Sequence, residues 1–109
     1  MRFEIQLTDR FITHLEEISD YIARSSPRNA LQWIENVERQ LLKLETFPER
    51  HPPARETDAH DLPLRQMLYG KGRCRYRIIF SIDGSMVTVL DIRHSSREDF
   101  ESGPLDENS

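Results

Sequence analysis

The sequence predicts an α+β fold of order β-α-α-β-β-β, with a helical hairpin packed on one face of a mainly antiparallel sheet. Three observations predict it. Residues 2–7, RFEIQL, alternate apolar and polar side chains, the period of two that marks a half-buried strand. Two stretches between residues 9 and 47 then place apolar side chains at helical spacing. From residue 62 the chain returns to strand chemistry, rich in Ile, Val, Phe and Tyr and punctuated by glycine.

In the first strand Phe3, Ile5 and Leu7 share one face. Thr8 or Asp9 offers an N-cap, and Phe11, Ile12, Leu15, Ile18 and Ile22 form the stripe of the first helix. Arg24-Ser25-Ser26-Pro27 ends that helix and begins the next, with Ser26 as N-cap and Pro27 at the first helical position. The second stripe, Ala30, Trp33, Ile34, Val37, Leu41 and Leu44, stops near Phe47-Pro48. Residues 48–61 hold three prolines and no periodicity, so they read as a stiffened loop. Strands follow at 62–69, 75–82 and 86–93, the last two joined by turn chemistry at Asp83-Gly84.

The 109 residues suit one domain, expected over residues 1–100, followed by an acidic, disordered tail at 101–109. A hydrophobic share of 37% with 31% charge, no apolar run near the ~20 residues of a membrane span, and no signal-peptide core predict a cytoplasmic protein. The single cysteine, Cys74, excludes an internal disulfide framework, and the four histidines lack metal-ligand spacing. No metal or cofactor is expected. His51 and His60, at the edges of the loop, read as surface. The net charge of −4 hides a segregation: residues 61–97 carry seven Lys and Arg against three acids, and the last twelve residues carry five acids and no base.

Arginine clusters at the ends of the 75–93 hairpin. Alternation places Tyr76, Ile78, Phe80 and Ile82 toward the helices and Arg77 on the opposite, uncovered face. Arg65 would join Arg77 there if the second and third strands pair, and Arg97 is a further candidate for that surface on the same condition. Guanidinium groups offer paired donors in a fixed fork, which suits phosphate. Among arginines, His94 would have its pKa pushed down and serve as a base near pH 7, or it would hydrogen-bond a backbone carbonyl. Strict alternation sets Arg93 and His94 on opposite faces unless a bulge intervenes.

A short strand, a helical hairpin and then YRIIFSIDGSMVTVLDIRHSSR resemble the RelE/ParE superfamily of type II toxins, often labelled plasmid stabilisation proteins. Tyr76-Arg77-Ile78-Ile79-Phe80 is similar to that family's central strand, and Val89 to His94 with Arg97 to its last strand and exit. The resemblance implies a growth-inhibiting toxin held in a hetero-oligomer by a cognate antitoxin protein. It divides the target between DNA gyrase, for ParE-type members, and ribosome-bound mRNA, for RelE-type endoribonucleases. In the second case Arg65, Arg77, His94 and Arg97 are the candidate catalytic residues. The pattern departs from RelE itself, because Phe100 is the nearest aromatic to that protein's C-terminal tyrosine and cannot accept a proton. That departure favours the gyrase-inhibiting reading over the nuclease; a non-toxic interaction module on the same fold is the third class.

Overall fold

The computed structural model describes residues 2–59, 63–70 and 75–95. Its elements are β1 (Glu4–Leu7), α1 (Asp9–Ser25), α2 (Pro27–Leu42), β2 (Arg65–Tyr69), β3 (Tyr76–Asp83) and β4 (Met86–His94). Short 3₁₀ turns at Lys43–Glu45, Pro48–Arg50 and Arg55–Ala59 lead from α2 to β2. The α+β order expected from the sequence is therefore the observed one. The tail at 101–109 and Arg97 lie outside the described residues, as do Cys74 and His60.

Local chemistry sets the helix ends. The Thr8 side chain accepts a hydrogen bond from the Phe11 amide and caps α1. Ser26 closes α1 through its own amide, which donates to the Ile22 carbonyl, and opens α2 by accepting from the Asn29 amide. One serine thus serves two helices, which makes the link between them short.

The sheet order is β1-β4-β3-β2. The β2–β3 and β3–β4 pairs are antiparallel, while β1 runs parallel to β4 with Ile5 opposite Val87. The sequence pattern does not disclose that parallel pairing. Gly84 adopts φ +62°, a conformation open to glycine, and this confines the hairpin loop to Gly84 and Ser85 between paired Asp83 and Met86. One register shift breaks the β3–β4 ladder: Ile79 faces Asp91 and Phe80 faces Val89, so Leu90 is the extra residue of a bulge.

On one face, Phe11, Val37, Leu41 and Leu44 bury against Met67, Ile78, Phe80, Val87, Val89 and Ile92. Each such side chain contributes roughly 1.5–3 kcal/mol by leaving water, an upper figure set by an extended unfolded chain. Tyr76 and Ile82 pack on the same cluster, as strand alternation predicts. The other face differs from expectation. It is covered by the proline-rich segment, whose Ala54 buries with Ile79 and with Leu64, just before β2, against Leu90. Backbone bonds hold the segment there: the Ala54 amide donates to the Leu64 carbonyl, and the Gln66 amide to the Pro52 carbonyl. Those bonds, with both Thr57 hydroxyl contacts to Leu64, explain why β2 begins at Arg65 and not three residues earlier.

Candidate functional site: a charge network across the second face

Arg77 is the second residue of β3, on the face covered by the loop, and its residue exposure is 1%. A buried guanidinium needs a counter-charge. Glu56, in the 3₁₀ turn Arg55–Ala59, provides it: Arg77 Nη2 donates to Oε2 at 2.5 Å and Nη1 to Oε1 at 3.2 Å. Nη1 also donates to Gln66 Oε1 on the neighbouring strand. Burial alone would raise the Glu56 pKa, but the Arg77 hydrogen bond and charge, with Arg93 beyond, outweigh it and hold the carboxyl below its ordinary value.

Arg93 lies directly opposite Arg77 in the β3–β4 ladder. Two like charges in that relation repel. Acids on either side offset the repulsion. Arg93 Nη1 is 3.8 Å from Glu56 Oε2, and Arg93 Nε donates to Asp91 Oδ2 at 3.1 Å. Asp91 is itself buried, accepts hydrogen bonds from three donors and forms an ion pair with a further cation. Its Oδ1 takes the Ile92 amide at 2.8 Å and His14 Nδ1 at 2.5 Å; its Oδ2 takes Arg93 Nε and lies 3.3 Å from Arg10 Nε in an ion pair. A carboxylate only accepts, so the contact fixes the His14 proton on Nδ1. The bulge at Leu90 makes this possible, because the extra residue turns Asp91 toward Ile79's side of the sheet. The network therefore runs from α1 through β4 and β3 to the loop.

The residues singled out by sequence fall in different places. Arg65 pairs with Phe80 and so lies on the helix-side face, opposite to Arg77. Its Nη1 donates to the carbonyls of Glu49 and His51 and pins the loop. His94 pairs with Tyr76, and the rings meet edge to face at 5.1 Å; Trp33 meets the other side of Tyr76 at 5.3 Å. Arg93 and His94 do occupy opposite faces. The arrangement separates Arg65, Arg77 and His94. His51, expected at the surface, instead packs its ring edge on Phe80, 5.8 Å away. Burial first, then the charges of Arg50 and Arg65, lower its pKa from the ordinary imidazole value.

Sequence reasoning missed Glu56, Gln66, Asp91, Arg10 and His14 as members. Gln66 and Asp91 were within reach, since each alternates onto the Arg77 face once the register is known. Glu56 carries no periodic signal and its partner is 21 residues away. Among the described residues, no group of three His, Cys, Asp or Glu side chains is placed to hold a metal ion, and no helix is long and apolar enough to cross a membrane.

Comparison with known proteins adds identity to this geometry. Among solved structures, the chain is similar to one described as the chromosomal ParDE TA system from P. aeruginosa, with a TM-score of 0.66. The two share 18% sequence identity over 85% of this chain and 96% of that one, so the likeness establishes the fold. No curated protein matches. The family model of the ParE toxin of the type II toxin-antitoxin system parDE matches residues 5–99, which takes in every element described above except the first residue of β1. The chain belongs to that family, and is a ParE-like toxin component of a type II toxin-antitoxin system.

Proposed function

We propose that this toxin is neutralised by a cognate antitoxin protein and inhibits DNA gyrase by binding it, without cutting nucleic acid. The observation that carries the reading is the commitment of Arg77. A nuclease built on Arg65, Arg77, His94 and Arg97 needs its cations on one surface, ready for a phosphate. Here Arg77 is buried against Glu56 and Gln66, and Arg65 holds loop carbonyls on the other face. This supports a scaffold whose charges stabilise shape and whose surface does the work. The test pairs two assays on the induced protein: gyrase supercoiling and integrity of ribosome-bound mRNA. Inhibited supercoiling with intact mRNA is expected, and antitoxin co-expression should restore growth. Cleaved mRNA that becomes intact with Arg77→Ala or His94→Ala, in variants that still fold, would overturn the proposal.

A further inference from the structure

Phe47 is the one non-glycine residue with positive φ among the described residues, at φ +56°, ψ +49°. A left-handed conformation is uncommon for any L residue and an outlier for a bulky one. The following Pro48 further favours extended backbone at this position. The strain gains no burial, because Phe47 is 68% exposed. Leu42, which ends α2, is 60% exposed. A strained backbone that holds an aromatic ring in water points from structure toward use.

The surroundings indicate what the ring meets. The Arg50 amide donates to the Phe47 carbonyl, so the turn that carries Phe47 also sets Arg50 in place. Arg50 and Lys43 border a cleft of about 360 Å³, lined also by Gln40, His51, Gln66 and Leu68. No acidic side chain lines it. Leu68, 46% exposed, adds an apolar side chain. Phe47 does not line the cleft; its carbonyl is bonded to the amide of Arg50, which does, so an exposed aromatic and a cation-bordered hollow share one turn, the make-up of a protein-binding anchor with its charged rim.

We infer that Phe47 is the anchor of a protein-docking face, and that its occupant is a partner surface offering an apolar socket edged by carboxylates that meet Lys43 and Arg50. The inference rests on the reading that the toxin acts by binding a macromolecule. Glycine at this position relieves the backbone and deletes the ring, so Phe47→Gly separates folding from docking. The variant should melt at or above the wild-type temperature. It should lose on the order of thirtyfold in growth inhibition and in gyrase inhibition, the scale of a deleted aromatic hot spot. Phe47→Tyr should keep both activities, and the double variant Lys43→Glu, Arg50→Glu should lose them while staying folded. A Phe47→Gly protein that melts lower than wild type makes the ring structural and overturns the inference. So does one that inhibits growth as well as wild type. If the wild-type chain stops growth with gyrase untouched, the target named above is wrong and the growth comparison alone decides the Phe47 face. A wild-type chain that inhibits neither overturns both.

Discussion

Arg77 holds a full positive charge almost out of reach of water, and the residue that makes this tolerable comes from a loop. Removing one member of a buried ion pair leaves the other charge uncompensated, at a cost of about 3–5 kcal/mol. Glu56→Gln strands the less exposed member and should cost roughly 3 kcal/mol, the low end because the Glu56 side chain keeps 19% exposure. The pair also sets an acid limit. The folded Glu56 pKa lies below 4.5, so the unfolded chain takes up its proton first as pH falls. The stability the pair contributes is whole above pH 4.5 and is lost as pH drops through the folded value. Urea unfolding followed from pH 6 to pH 3 should show that loss in wild type and a shallower slope in Glu56→Gln. Strand alternation made the position of Arg77 legible, but not its role. Alternation reports which way a side chain points; it is blind to what a segment without periodicity lays over it.

Elements were legible where a single local rule decides them. Thr8, Ser26 with Pro27, and Asp83-Gly84 each punctuate the chain through their own side chain or backbone freedom, and each falls where the sequence puts it. Pairing of β1 with β4 was not legible, since no local pattern states which strand a parallel neighbour will be. Thr8 sits at that junction. Its hydroxyl caps α1 and shares its one hydrogen between the carbonyls of Val89 at 2.9 Å and Leu90 at 3.2 Å, beside the bulge. Thr8→Ala should therefore lose about 1 kcal/mol of capping and about 1 kcal/mol more from the strand contact. Thr8→Ser keeps both roles and should melt close to wild type. Thr8→Asp can cap but cannot donate, and it sets an anion beside two carbonyls. Calorimetry that ranks Asp level with Ser would remove the strand contact from the account.

For the whole molecule, the largest departure from the sequence reading is the closed second face. The proline-rich segment forms a cover fastened at its start by Arg65 from the helix-side face, by backbone pairing at Pro52 and Ala54, and by Glu56 in its middle. The side chains that fasten it were each visible in the sequence; their convergence was not, because it depends on a loop path that composition does not encode. Arg55 is already exposed, and local opening of the cover would free the backbone around it to enter trypsin. Cleavage there should be slow in wild type and faster in Glu56→Gln, by about tenfold for each 1.4 kcal/mol of closing energy lost. Equal rates in the two proteins would show that the ion pair does not keep the cover shut.

The placement of β1 between solvent and the last strand has a consequence in time. Thr8 and Val89 touch across 81 residues of sequence. A ribosome releases β1 well before β4, so β1 waits, unpaired, while the 81 residues that separate Thr8 from Val89 are made. A nascent toxin cannot complete its sheet before residue 89 has left the exit tunnel. Synthesis itself then delays the active shape, and a message cut short upstream yields no partial toxin. Arrest peptides placed at successive lengths should report folding force only once β4 is fully outside the ribosome. A force peak at lengths that lack β4 would show that the hairpin and helices fold without it.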